Sequence, residues 1–447
     1  MSSGRQTGDR PTQKRPAHLN ATETQSRLSV GRLFVFRCRT MKRFGIGGLL
    51  VLSACVAHED SASTPVTAQG SDDELIAANA PPFVDRAVNA AVPNKMLYFG
   101  GRVISNAKVY AVWWGTGANL NPVLTRQTSG IADFFKGILN SSYMDGLNEY
   151  NTDLVAQAGA HKGSPGTNQF IGRGNFAGTL ALTKIPSGNV TDEQVQAVIE
   201  NAIVDGTLPE PDDNTLLAIF FPRSVSITID GSRSCSGFGA YHFATPQTKH
   251  HVAYAIMPDC GTGFGGYTNV TSHELIEAVT DAIPTPGSNP DYPQAWNKAD
   301  GNEVSDLCQS TSASVDTPLG KFRAQGLWFD SVAKCKVTNT ARRDFAVASS
   351  LNDIAIGAGA SAEATFTTST TADTPQPLEL RVVAPAGVTA TISPSRVMSG
   401  ESATVRISVA ANAPKSADAS QVIVQAIGTN GAKSSVHTAA LLLRVAR

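Results

Sequence analysis

The sequence predicts an α+β body of mixed sheet and helices over residues 83–343, followed by an all-β sandwich over residues 344–447. Three observations carry this reading. Apolar runs of strand period and of helix period intermingle up to about Arg343 without a regular βαβ repeat. Beyond Arg343 the composition changes: residues 344–447 contain no Trp, Tyr or Cys and are dominated by Ala, Val, Ser and Thr. Within that stretch, alternating runs at 378–383, 403–409 and 421–426 are separated by turn residues, the pattern of a small antiparallel sandwich.

The chain opens with forty residues that are basic, rich in Ser and Thr and without helical or strand period, and that read as an over-extended start. Met41 is the better beginning. Lys42 and Arg43 form a charged n-region, residues 44–50 a short apolar h-region, and Leu52-Ser53-Ala54-Cys55 has the form of a bacterial lipobox. The segment is too short for a spanning helix, which needs about 20 apolar residues. A lipoprotein signal over 41–54 implies cleavage before Cys55, acylation of its thiol and a membrane anchor of several chains, since one chain binds only marginally. An ordinary secretory signal with a chance cysteine is the alternative. Val56, where an Asp would retain the protein at the inner membrane, points to the outer membrane or cell surface. Residues 55–82 are polar and rich in Ala, Ser and Asp, as a tether would be.

Removing the leader changes the charge. The whole chain carries 36 Lys+Arg against 37 Asp+Glu. Residues 1–54 hold ten of the former and two of the latter, so the remainder has 26 against 35 and a net charge near −9. That argues against nucleic acid as a partner, because affinity for phosphates needs a basic surface.

Four cysteines follow Cys55: Cys235, Cys260, Cys308 and Cys335. An even set in an exported chain reads as disulfides, with three connectivities open. The sequential pairing, Cys235 with Cys260 and Cys308 with Cys335, is expected. Each bond would close about 26 residues and contribute about 3.5 kcal/mol in the chain-entropy account. No pair has the C-x-x-C spacing of a cysteine-rich zinc site.

The body is expected to begin near Phe83. Lys108–Trp114, a run of β-branched and aromatic residues bounded by Gly115, predicts a buried strand. Ile131, Phe134, Phe135, Ile138 and Leu139 recur at helical spacing. Thr191-Asp192-Glu193-Gln194 has the form of a capping box, and Val195, Val198, Ile199 and Ile203 continue the helix it opens. Residues 216–221 form another apolar strand, ended by Pro222. Strands and turns are expected between Ser226 and Pro258, with His242, His250 and His251 among them. Trp113, Trp114 and Trp296 are expected in the core or on a cleft wall, where a tryptophan beside carboxylates could stack on a sugar.

Residues 272–281, Ser-His-Glu-Leu-Ile-Glu-Ala-Val-Thr-Asp, carry the chemistry. On a helix His273 and Glu277 project from one face and can reach one ion. Glu274 lies about 100° further round, where the glutamate of H-E-x-x-H acts as general base on a zinc-activated water. Glu277 stands where a zinc peptidase has its second histidine. Thirty residues on, Asn302-Glu303-Val304-Ser305-Asp306 resembles, one residue shorter, the N-E-x-x-S-D segment of thermolysin-like gluzincins. That resemblance implies a zincin-like body with Glu303 as third ligand. Spacing of i to i+3 on a helix would let Asp306 accept the free ring N–H of His273. Two carboxylates on one dication weaken its pull on water. His242, with His250 and His251 behind it, is therefore the candidate for a further ligand, and an ion harder than zinc is the other way out. The bland reading is an acidic, solvated helix face with a single histidine.

A wider resemblance rests on Trp113-Trp114-Gly115, Cys235 with Gly239-Ala240-Tyr241-His242, residues 272–281, Trp296, residues 301–308, and Gly320-Lys321-Phe322 leading through Trp328 to Cys335. In this order, over roughly residues 100–340, the chain is similar to the EXORDIUM or phosphate-induced protein family. That family carries a glutamate at the position of Glu277, which implies a role of its own for the His-Glu-x-x-Glu pattern. Its plant members are secreted wall proteins without a defining reaction. The C-terminal region resembles the immunoglobulin-like accessory domains of bacterial secreted hydrolases.

These expectations combine into a cell-surface lipoprotein with a zincin-like, zinc-dependent peptidase body. The alternative is a non-catalytic surface protein binding wall or extracellular polysaccharide, and a third reading is metal-dependent hydrolysis of a non-peptide substrate.

Overall fold

The computed structural model describes residues 94–246, 251–285, 290–339, 344–371, 374–416, 418–430 and 433–446. The signal, Cys55, the tether and His250 lie outside these residues. Among the described residues the fold is β-rich, and no helix is long and apolar enough to cross a membrane.

The body is built on a five-stranded sheet. Its strands are β1 (Lys108–Trp114), β2 (Asn175–Leu182), β3 (Thr215–Phe220), β4 (Tyr241–Ala244) and β5 (Ala253–Met257), in the spatial order β2-β1-β3-β5-β4. β1 pairs in parallel with β2 and β3, and β3 with β5; only β4, at the edge, is antiparallel to its neighbour. Helices α1 (Ile131–Ile138), α2 (Asp192–Val204) and α3 (Phe264–Thr280) cover the two faces. Val109, Ala111 and Trp113 pack with α1 and α3, whereas Tyr110, Val112 and Trp114 pack with α2. Every residue of β1 is buried, as a parallel strand covered on both sides requires. The expectation of a body without a regular βαβ repeat is therefore corrected: α1 lies in the β1–β2 connection and α2 in the β2–β3 connection. Long irregular stretches on either side of these helices conceal the repeat in the sequence.

The capping box at Thr191 and Gln194 forms and opens α2. Asp192, buried in its first turn, accepts from the hydroxyls of Tyr241 and Tyr254 and from Gln196. This network ties the helix to β4 and β5. Two hairpins follow α3. The first pairs β6 (Ser312–Thr317) with β7 (Gly320–Gln325), and the second pairs β8 (Leu327–Phe329) with β9 (Lys334–Lys336). Both expected disulfides are present, Cys235–Cys260 and Cys308–Cys335, 25 and 27 residues apart.

The C-terminal region is a two-sheet sandwich of four and five strands around its own core of Val, Ile, Leu, Ala and Phe side chains. One pairing departs from the antiparallel expectation: Asp353–Gly357 lies parallel to the last strand, Lys433–Ala446. All four tryptophans, Trp113, Trp114, Trp296 and Trp328, are buried.

Candidate metal centre

Helix α3 follows β5 through Pro258 and Cys260, and its register sets the site. Val270, His273, Glu274 and Glu277, at spacings of three and four, form the stripe that lines a cavity of about 540 Å³. The opposite stripe, with Leu275, Ile276 and Val279, enters the main core. The other wall is the edge strand. Alternation along β4 sends Tyr241 to the α2 side and leaves His242 facing α3. The loop at 235–240, held by the Cys235–Cys260 bond, continues that wall.

Six polar side chains converge. His273 Nε2 is 3.1 Å from Glu277 Oε2, 3.7 Å from Asp306 Oδ1 and 4.0 Å from Glu274 Oε1. Across the cavity, His242 Nδ1 lies 3.7 Å from Glu274 Oε2 and 3.8 Å from Glu277 Oε2, and its Nε2 lies 3.6 Å from Glu303 Oε1. Two groups of donors thus meet the spacing of a metal site, His273 with Glu277 and Asp306, and His242 with Glu274 and Glu277. His242 is buried, and its Nε2 makes no hydrogen bond among the described residues.

Of the residues expected to act together, His273, Glu277 and Glu274 are adjacent, and His242 completes the group from β4. Two expectations are corrected. Asp306 does not hold the far nitrogen of His273; it stands on the Nε2 side with Glu277, and the side-chain amide of Gln325 meets Nδ1 at 2.8 Å. Glu303 sits beside His242, in a loop and not on a helix. The helical reading of 303–306 fails because Gly301, at φ +90°, turns the chain, and only Asp306–Cys308 forms a single 3-10 turn. The loop is fixed by its backbone: Asp306 N–H donates to Glu277 Oε1, and Glu303 N–H to Asp306 Oδ2. His251 is elsewhere, its Nδ1 against the Thr245 carbonyl.

Gln325 is the contributor that sequence reading missed. It ends β7, where its backbone N–H donates to Ser272 Oγ and its amide also donates to the Ser305 carbonyl. Phe322 and Ala324 enter the main core, whereas Gln325, on the other face of the strand, meets Asn269 and His273 of α3. Only the pairing itself reveals that Gln325 meets a histidine 52 residues earlier.

The electrostatics are those of an acidic pocket. Neither Lys nor Arg is among its lining residues. Burial disfavours charge on His273, but the carboxylates of Glu277 and Glu274 outweigh it and push the imidazole up to about 10. Burial and then the Glu277 charge push Asp306 up to about 7, with His273 pulling it back.

No family model and no curated protein matches the chain. Among solved structures, the chain is similar to a family 123 glycoside hydrolase from Clostridium perfringens, at 9% identity and a TM-score of 0.16, covering 21% of this chain and 22% of that one. A PapD-like domain of human CEP192 matches at 12% identity and a TM-score of 0.18, covering 25% of this chain and 92% of that one. The VesB protease of Vibrio cholerae matches at 16% identity and a TM-score of 0.19, covering 34% of this chain and 58% of that one. The chain spans less than two thirds of the hydrolase and of VesB.

Proposed function

We propose that the protein is an exported hydrolase that uses a divalent cation, zinc or a close relative, to cleave peptide bonds. His273, Glu277 and Asp306 hold the ion, and Glu274 moves the proton. The observation that carries this is the spacing of buried donors. His273 Nε2 stands 3.1 Å from Glu277 and 3.7 Å from Asp306, and His242 stands 3.6–3.8 Å from the carboxylates of Glu274, Glu277 and Glu303. These distances approach the separation of about 3.4 Å between neighbouring donors on a tetrahedral ion with bonds of about 2.1 Å.

The bound ion would supply Lewis-acid polarisation of a water and of the scissile carbonyl. The chain supplies the rest. Gln325 at Nδ1 turns Nε2 of His273 toward Glu277 and Asp306. Glu274, with one oxygen toward each histidine, is placed to take a proton from the attacking water and return it to the leaving amine. His242 stands opposite, where it can donate to charge developing on the substrate. β4 is an edge strand beside the cavity, so an extended peptide can pair along it. The mixed sheet, its antiparallel edge and the α3 motif support a zincin-like body of EXORDIUM-like ancestry. The two disulfides support export, and the lipobox at Cys55 supports a surface anchor.

Protein purified without chelators is expected to contain stoichiometric metal by mass spectrometry, and His273→Ala to lose it. Glu274→Gln is expected to keep the His273 ion while lowering hydrolysis of a mixed peptide library at least about a hundredfold, within the usual range for a general base. A metal-free, folded wild type would sink the proposal.

A further inference from the structure

We infer that this centre has room for two divalent cations, one on each histidine, with Glu277 as the shared ligand; the inference rests on the one-ion reading above and extends it. A single ion is served by His273, Glu277 and Asp306, which leaves a second donor set that does not ligate it. His242, Glu274 and Glu277 form that set, with ligand atoms within 4.8 Å of one another, and it is buried throughout. The same atom, Glu277 Oε2, faces His273 Nε2 at 3.1 Å and His242 Nδ1 at 3.8 Å. A carboxylate oxygen between two imidazoles is the arrangement that bridges a metal pair standing about 3.5–4 Å apart.

The independent sign is His242 itself. Its side chain is 2% exposed, its Nδ1 faces the Glu274 and Glu277 carboxylates at 3.7 and 3.8 Å, and its Nε2, turned toward Glu303, makes no hydrogen bond among the described residues. A buried polar atom left in this way marks a missing partner. Both ring nitrogens look onto carboxylates at 3.6–3.8 Å, too far for hydrogen bonds. Charge agrees. Glu274, Glu277, Glu303 and Asp306 bring four formal negative charges around two imidazoles, and neither Lys nor Arg lines the cavity. One dication leaves that pocket negative, whereas two neutralise it, which a site of low dielectric favours.

The second ion has a chemical consequence. Glu274 cannot both ligate it and move a proton, so its occupancy silences the centre. The pair therefore makes hydrolysis sensitive to free metal, active with one ion and inhibited when the weaker site fills.

The full chain, stripped by chelator dialysis and titrated with Co²⁺ under absorption spectroscopy, is expected to bind two equivalents, the second at least tenfold more weakly. His242→Gln is expected to abolish the second equivalent and keep the first. Mn²⁺-loaded wild type should show the coupled resonance of a bridged pair, which needs no variant to fold. A single equivalent in the wild type, two equivalents unaffected by His242→Gln, or loss of both in that variant would overturn the two-site assignment while the one-ion reading stands. No binding at all would overturn both.

Discussion

At the residue scale the centre depends on how His273 is held. Its Nδ1 meets Gln325, and the same amide donates to the Ser305 carbonyl, so one side chain fixes the ring and the loop that carries Glu303 and Asp306. Groups that orient a ligating histidine typically change metal affinity 10–100-fold when removed. Gln325→Leu is therefore expected to weaken zinc about tenfold or more, read by competition with a chromophoric chelator. It is also expected to cost about 1–3 kcal/mol of stability, the penalty of an unsatisfied buried carbonyl. Unchanged zinc affinity in a folded variant would show that the ring orientation is set without Gln325.

At the scale of elements, the loop at 235–240 has little regular structure, yet it forms part of the cavity wall. The Cys235–Cys260 bond ties it to the segment entering α3. Replacing both cysteines by serine releases a closure of 25 residues and is expected to cost about 3.5 kcal/mol, checked by urea unfolding against the wild type. A loss of much less would mean that packing of Phe238 and Tyr241 already fixes the wall. The legibility of these elements follows locality. Lys108–Trp114 was readable as a strand, and Thr191 with Gln194 as a helix start, because the signal lies within a few residues. His273 and Glu277 were readable as neighbours through the helical period. The parallel partners of β1, the register that pairs His242 with Ala255, and the approach of Gln325 depend on chain segments far apart, and no local period encodes them. The segment at 303–306 misled for the converse reason: its spacing suits a helix, but Gly301 and the Cys308–Cys335 bond shape it as a loop.

At the scale of the whole molecule, the sandwich is fastened to the body. Asn106 donates to the Arg173 carbonyl and to Thr438 Oγ1, and Gln421 joins Asn214 and the Asn106 carbonyl. A Cβ on Gly172 would collide with Thr438, so the two backbones touch. Leu442 and Ala419 even enter the core beneath α2. The titratable element of this junction is Asp344, whose carboxylate lies 2.9 Å from His437 Nε2, itself 3.1 Å from the Asn148 amide of the body. Burial works against the Asp344 charge, but the hydrogen bond and the charge of His437 prevail and hold it below the usual carboxylate range. A carboxylate depressed in the folded state binds its proton more readily when unfolded. Its stabilisation is therefore present above the unfolded value of about 3.9, and is lost as pH falls through the folded value. Asp344→Asn is expected to destabilise the protein by about 1–3 kcal/mol at neutral pH. Its difference from wild type should shrink as pH falls below the unfolded value of about 3.9 in parallel urea unfolding series. A difference that stays constant with pH would place the effect in packing against Phe345, whose ring meets His437 edge-on, and not in the ion pair.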